Sequence, residues 1–380
     1  MYRHLILICL LSLFHTACTS PKEKPATTPL AEPDLKAMIG QMVMIGFRGM
    51  EVDSVSPKII TQIEKDFVGG IILFDYDLVK KSPRRNIKSP TQVKKLITAL
   101  QQKSKTPLWV AVDQEGGKVN RLKAKYGFPK IASAKYLGQL DNLDSTKHYA
   151  LLNAYNLQTL GFNLNFAPVV DLDLNPKNPV IGKYERSYSD QSATVIKHAQ
   201  AWIKVHDSLG VLSTLKHFPG HGSSDADSHE GFTDISAYWQ AEELQPFEVL
   251  SKIEPPIGIM TAHVFNRQLD SIFPATLSKK VIHTILRDNW KFEGLIFSDD
   301  LQMKAVNKLY DFKTIVKNSI LAGVDVLVFG NNLEYQETLP EEVVNLVYQL
   351  VTDGEISKER IQDSYHRIIK AKAALKSKEK

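Results

Sequence analysis

Val211-Leu212-Ser213-Thr214-Leu215-Lys216-His217-Phe218-Pro219-Gly220-His221-Gly222, running on through Ser223-Ser224-Asp225-Ala226-Asp227-Ser228-His229, is the stretch whose reading decides the fold. The apolar run Val211–Leu215 reads as a strand buried on both faces. Lys216 and His217 stand at its C-terminal end. Pro219, Gly220 and Gly222 stop the strand and force a loop. That loop adds two more histidines and two aspartates. Packing alone gives no reason to gather three His, two Asp and a Lys within fourteen residues.

Working outward, similar apolar runs recur at Gln41–Phe47, Val68–Phe74, Leu108–Asp113, Leu164–Asp171, Gly258–His263, Gly294–Asp299 and Val324–Gly330. With Val211–His217 they make eight candidate strands, nearly continuous in apolar residues, as parallel strands covered on both faces must be. Helical periodicity falls between them, over roughly 55–66, 91–104, 143–160, 190–209, 239–253, 279–289 and 303–322, then 339–352 and 357–376. Ser278 is placed to cap the helix that precedes the seventh strand. Eight strand–helix units predict an α/β fold, a (β/α)8 TIM barrel in a single catalytic domain. The rival is an open doubly wound sheet, but no Gly-x-Gly-x-x-Gly turn follows an early strand. A barrel also demands that its chemistry sit at strand C-terminal ends. Asp113, Asp171, Lys216, His217, His263 and Asp299 all fall there.

Composition narrows the class. The chain has 380 residues, 43% of them apolar, and a formal net charge of +5 with its basic residues dispersed. A nucleic-acid binder would gather them on one face, so no nucleic-acid partner is expected. The two cysteines, Cys9 and Cys18, lie in the first eighteen residues, which leaves the body without disulfides or thiolate metal ligands. Met1-Tyr2-Arg3-His4, the short apolar run Leu5 to Phe14 and Thr16-Ala17-Cys18 read as a bacterial signal peptide over 1–17. Cys18 after Thr-Ala also resembles a lipobox, although His15 stands where leucine is usual. The alternative is cleavage at Ala17 with an incidental cysteine. Pro21, Pro25, Pro29 and Pro33 make 18–33 a proline-rich tether, and 34–380 the folded barrel. The expectation is an exported lipoprotein of a Gram-negative bacterium, monomeric, anchored to the membrane through Cys18 on the periplasmic or outer side.

Three further groupings carry chemistry. Asp113-Gln114-Glu115-Gly116-Gly117, with Arg121 beyond, puts a carboxylate beside two glycines that permit close approach of a ligand. Arg186, in the long loop after the fourth strand, can fork onto sugar hydroxyls or a carboxylate, or pair with Asp171 or Glu185 as scaffold. Ser298-Asp299-Asp300-Leu301 ends the seventh strand. Side chains alternate there, so one aspartate faces the mouth and Asp300 caps the next helix.

Together Lys216–Gly222 with Asp227-Ser228-His229, Asp113–Gly117 and Ser298-Asp299-Asp300-Leu301-Gln302-Met303 resemble glycoside hydrolase family 3, in its β-N-acetylglucosaminidase (β-N-acetylhexosaminidase) branch, over about residues 34 to 376. The resemblance implies a retaining exo-glycosidase acting on a carbohydrate substrate with terminal β-linked N-acetylglucosamine, through a covalent glycosyl-enzyme. It implies Asp299 as nucleophile, His229 held by Asp227 as acid/base, and Asp113, Arg121, Arg186, Lys216 and His217 as terminal-sugar ligands. No metal or organic cofactor is implied. Elementary chemistry agrees: displacement at an anomeric carbon needs a carboxylate and a proton donor, and imidazole titrates near ~6.5. Two features depart from simple Gram-negative members of the branch. One is the export signal. The other is a long basic loop, Asp75–Thr91, with Lys80, Lys81, Arg84, Arg85 and Lys88, able to meet acidic substrates or simply to face water.

Two other readings compete. A metal-dependent barrel hydrolase can draw ligands from His217, His221, Asp225, Asp227, His229 and His263, but its usual His-x-His is missing from Gln41–Phe47. A lipid-tethered sugar-binding protein without catalysis is the other. Peptidoglycan fragments, chitin oligomers and host glycans all remain open as substrates, as does transfer to phosphate.

Overall fold

The computed structural model describes residues 33–227, 231–254 and 256–376. Eight parallel strands form the barrel: β1 Val43–Gly46, β2 Gly70–Ile72, β3 Trp109–Val112, β4 Leu164–Asn165, β5 Leu212–Phe218, β6 Gly258–Thr261, β7 Leu295–Phe297 and β8 Leu327–Phe329. Each pairs with its sequence neighbours. The register runs Met44 to Gly70, Gly70 to Trp109, Ala111 to Leu164, Leu164 to Leu212, Thr214 to Gly258 and Gly258 to Leu295. Val43 meets Leu327, and a parallel bridge from Phe297 to Val326 closes the ring. The open-sheet alternative is thereby removed.

All eight expected strands are present, most of them shorter than their apolar runs. β4 stops at Asn165 because Pro168 offers no N–H to a ladder. The chain nevertheless stays beside β5: Thr214 donates to Ala167 O, Val170 donates to Lys216 O, and Asp171 still arrives at the strand-end rim. The barrel is filled by side chains such as Phe166 and Phe297, which meet edge to face at 5.6 Å.

Helices cover the outside. Pro90–Lys103 starts from a Ser89 cap with Pro at its first position. Leu143–Leu160 starts from Asn142 and ends on left-handed Gly161. Ser278 Oγ accepts from Val281 N at 3.1 Å, capping the π-type helix Lys280–Asn289 as expected. The segment expected as one helix over 303–322 divides into Lys304–Asn307 and Phe312–Ala322, because the Asp311 carboxylate accepts from Thr314 N and begins a second helix. Among the described residues, two short α-helices were not expected. Leu35–Gln41, capped by Asp34, takes Gln41 out of the first strand, and Ala134–Leu140 follows a Ser133 cap. No helix among the described residues is long and apolar enough to cross a membrane.

Candidate active site

A cavity of about 440 Å³ opens at the C-terminal ends of the strands. Asp113, Arg121, Arg186, Lys216, His217, Asp227 and Asp299 all line it. The tertiary fold thus brings together every candidate site residue but two. His229 and Cys18 lie outside the described residues.

The cavity floor is a closed network of charges. Lys216, only 2% exposed, reaches Asp113 Oδ1 and Glu115 Oε1, both at 2.8 Å. Arg186 grips Glu115 with Nε and Nη2, each at 2.8 Å from a carboxylate oxygen. Arg121 Nη2 stands 3.4 Å from Asp113 Oδ2. The fork of Arg186 is therefore occupied by Glu115, and not by Asp171 or Glu185, the two scaffold partners considered from sequence. Glu185 faces outward to Lys118 instead. Burial alone would raise both floor carboxyls. For Glu115, Arg186 and Lys216 outweigh it and hold the group at about 2. For Asp113, Lys216 and Arg121 hold it well below the usual carboxylate range. Both stay ionised at neutral pH, and so present fixed acceptors for hydroxyls beside the Lys216 and Arg186 donors.

His217 is fixed from both ring nitrogens. Nδ1 lies 2.7 Å from Asp171 Oδ2, and Nε2 lies 3.2 Å from Arg186 Nη2. The guanidinium can only donate, so Nε2 accepts and Nδ1 carries the proton. Burial, then the positive charges of Arg186 and Lys216, push the imidazole well below its ordinary value. It is a neutral, oriented ring. Asp171 also accepts from the main-chain N–H of His217 and of His221, at 3.1 and 2.9 Å. Burial is the largest influence on its carboxyl and pushes it up.

Asp299 enters the cavity from the end of β7, and one of its oxygens accepts from Asp300 N at 2.8 Å. The next helix begins at Lys304, behind Met303 and without a side-chain cap, so Asp300, which also lines the cavity, does not cap it as expected. Asp300 Oδ1 accepts from Gln302 N at 3.0 Å and Gly330 N at 2.9 Å, fastening the turn after β7 to the end of β8.

The loop after β5 is built for close approach. Gly220 has φ +113°, and a Cβ at Gly222 would lie 1.7 Å from Leu172 O. The Lys216–His217 peptide bond is cis. Gly116 and Gly117 meet a different need from the one expected. Their missing side chains admit Ala132 and Ser133 of the protein itself, not a ligand.

Two expectations change. Arg85 of the basic loop is buried. It donates to Phe47 O at 2.9 Å, Asn331 O at 2.6 Å and Asn332 Oδ1 at 2.8 Å, with Asp77 at 3.2 Å, so it holds loops together and does not line the cavity. Two of the ligands considered for a metal are committed to other partners. His263 directs Nδ1 to Thr276 Oγ1 and Nε2 to Asp300 O, while both ring nitrogens of His217 are engaged by Asp171 and Arg186. Among the described residues no group of three or more His, Cys, Asp or Glu is placed to hold a metal ion.

Glu115 and Asp171 are the site residues that sequence reasoning left out of its ligand set. For Glu115 a signal was present: it stands two positions after Asp113, and alternate residues of an extended segment share a face.

A (β/α)8 barrel with a charge-paired cavity at its strand ends is the class that fold and site define. The model of the glycosyl hydrolase family 3 N-terminal domain matches residues 34–371, and the chain belongs to that family. It is 30% identical to beta-hexosaminidase A of Pseudoalteromonas piscicida, over 94% of this chain and 63% of that protein. It is 34% identical to a beta-hexosaminidase of Glaesserella parasuis, over 78% of this chain and 86% of that one. The solved structure of a glycoside hydrolase family 3 beta-N-acetylglucosaminidase from Paenibacillus sp. str. FPU-7 is similar with a TM-score of 0.81 and 32% identity, over 91% of this chain and 63% of that one. The chain spans less than two thirds of the length of the Pseudoalteromonas and Paenibacillus proteins.

Proposed function

We propose that this chain is a β-N-acetylhexosaminidase, a retaining exo-glycosidase that releases terminal β-linked N-acetylglucosamine from glycans such as peptidoglycan fragments or chitin oligomers. The observation that carries the reading is one cavity shared by a strand-end carboxylate, Asp299, and the buried network of Asp113, Glu115, Arg186, Lys216 and His217. That network offers ionised acceptors and charged donors at fixed positions, which suits the hydroxyls of one terminal sugar.

In this reading Asp299 attacks the anomeric carbon and forms a glycosyl ester as the bond to the leaving oxygen breaks. His229, oriented by Asp227, gives that oxygen its proton. The same imidazole then takes a proton from water, whose oxygen attacks the anomeric carbon and frees Asp299. Asp227 lining the cavity supports this role for its loop.

Asp299 is tested by labelling and by substitution. A 2-fluoro glycosyl inactivator is expected to label Asp299, and Asp299→Ala to abolish release of 4-nitrophenol from its N-acetyl-β-glucosaminide while the thermal melt stays unchanged. Labelling of Asp300 would reject the assignment. For His229→Ala the loss is expected to reach roughly 10²–10⁴ with poor leaving groups, to be least with 2,4-dinitrophenolate, and to be relieved by azide. A loss independent of leaving group, with no azide effect, would reduce His229 to a loop anchor. Running the reaction with phosphate present distinguishes hydrolysis from phosphorolysis by its product.

A further inference from the structure

Glu243 is buried completely, in a short helical turn, Ala241–Leu244, beyond the far end of the loop that leaves β5. Its carboxylate faces the near end of that loop. Oε2 accepts from Gly222 N at 3.1 Å and Ser223 N at 3.3 Å, and Oε1 accepts from Ser223 Oγ at 2.6 Å. One side chain therefore closes a twenty-residue excursion of chain. Asp227 lies within that excursion and lines the cavity.

The contacts continue toward Asp227. Ser224 Oγ donates to Ala226 O at 2.9 Å and accepts from Ala226 N at 3.2 Å. From the other side Asn178 Nδ2 donates to His221 O at 2.7 Å, and Asn175 Nδ2 donates to Ser224 O at 3.0 Å. Glu243 itself is absent from the cavity lining. Burial pushes the Glu243 carboxyl up to about 7, against the donors that favour its charged form. Here Gly222 N, Ser223 N and Ser223 Oγ all come from the base of the one loop, and Gln240 N of its own turn adds a longer contact at 3.4 Å.

We propose that Glu243 is a positioning residue: it staples the base of the loop that carries Asp227, and so sets how Asp227 supports proton delivery to the leaving oxygen. This rests on the glycosidase reading. The floor residues Asp113, Glu115, Arg186 and Lys216 are held by their own ion pairs, so loss of the staple is expected to weigh on proton delivery more than on sugar binding, a kinetic signature that a simple packing role lacks.

The test compares the unaltered chain with Glu243→Gln in single-turnover glycosylation. Two substrates are used, 2,4-dinitrophenyl and 4-methoxyphenyl N-acetyl-β-glucosaminide, and inhibition by free N-acetylglucosamine is measured alongside. The expected loss is about tenfold to a hundredfold for the methoxyphenyl substrate, below the full cost of removing a general acid. For the dinitrophenyl substrate it is expected to be within about threefold, and the inhibition constant to stay within about twofold, because neither depends on the proton donor. Equal losses on both substrates, or weakened inhibition in step with rate, would overturn the proposal. Should Glu243→Gln not fold, Ser223→Ala removes one bond of the same staple from the loop side. It must show the same leaving-group pattern in milder form, and unaltered kinetics would overturn the proposal. If the unaltered chain cleaves neither substrate, the glycosidase reading itself falls, and the staple's role with it.

Discussion

At the residue scale, Glu115 has the largest consequences for the cavity floor. It neutralises Lys216 and Arg186, whose side chains are only 2% and 10% exposed. Breaking a buried pair costs more than the pair contributes, because the remaining charge is left uncompensated. Glu115→Gln is expected to lower stability at neutral pH by roughly 3–5 kcal/mol in urea unfolding. The pH dependence has a definite sign. The folded value is held at about 2, below the ordinary 4.5, so the contribution is complete above 4.5 and is lost as the pH falls through the folded value. The gap between the parent and Glu115→Gln should therefore narrow as pH falls from 4.5 toward 2. A constant gap would show that the penalty comes from packing and not from charge.

At the element scale, the basic loop after β2 forms a two-stranded ribbon, Tyr76–Asp77 against Ser82–Pro83. Its charges divide into two kinds. Arg85 and Arg48 converge on Asp77, at 3.2 and 2.6 Å, and the ribbon is tied to the β8 end by Asn332, which accepts from Leu78 N at 2.9 Å. Lys80, Lys81 and Arg84 remain exposed and do not line the cavity, whereas Tyr76 and Leu78 do. Arg85→Ala is expected to destabilise by several kcal/mol, roughly the cost of stranding a buried partner. Changing Lys80, Lys81 and Arg84 together to Ala should move stability by no more than about 0.5 kcal/mol. Any effect of that triple change on KM should be confined to anionic glycans and fade with added salt. An equal rise in KM for neutral substrates would place these residues in the binding surface itself.

At the scale of the whole molecule, Asp34–Lys380 forms one compact unit, with the cavity at one end of the barrel. The lipid anchor we propose at Cys18 would fix that unit to a membrane through the proline-rich tether. One acyl chain anchors only marginally, whereas several hold stably. Cys18→Ser is expected to shift the protein out of the membrane fraction and to change its mass, while turnover of a small aryl glycoside stays unchanged. A variant with an unaltered membrane fraction and unaltered mass would reject the anchor.

The barrel was legible from the sequence because its signals are local. Each strand is an apolar run ended by Gly, Pro or a polar residue, and the strand-end rule assembles Asp113, Lys216, His217 and Asp299 from their positions in the chain alone. Helix ends with strong caps, such as Ser278, were legible for the same reason, whereas the division at Asp311 depended on which of several polar residues turned back to the main chain. The pairings inside the cavity carried no such signal. Arg186 and Glu115 are 71 residues apart, and Lys216 and Asp113 are 103 apart. Which carboxylate an arginine meets depends on the circular order of the strands and on the side chains left facing the same opening. The Glu243 staple is of this kind too: nothing around Gln240–Gln245 announces a partner at Gly222 and Ser223, and only the return of the chain beneath its own loop brings them within hydrogen-bonding distance.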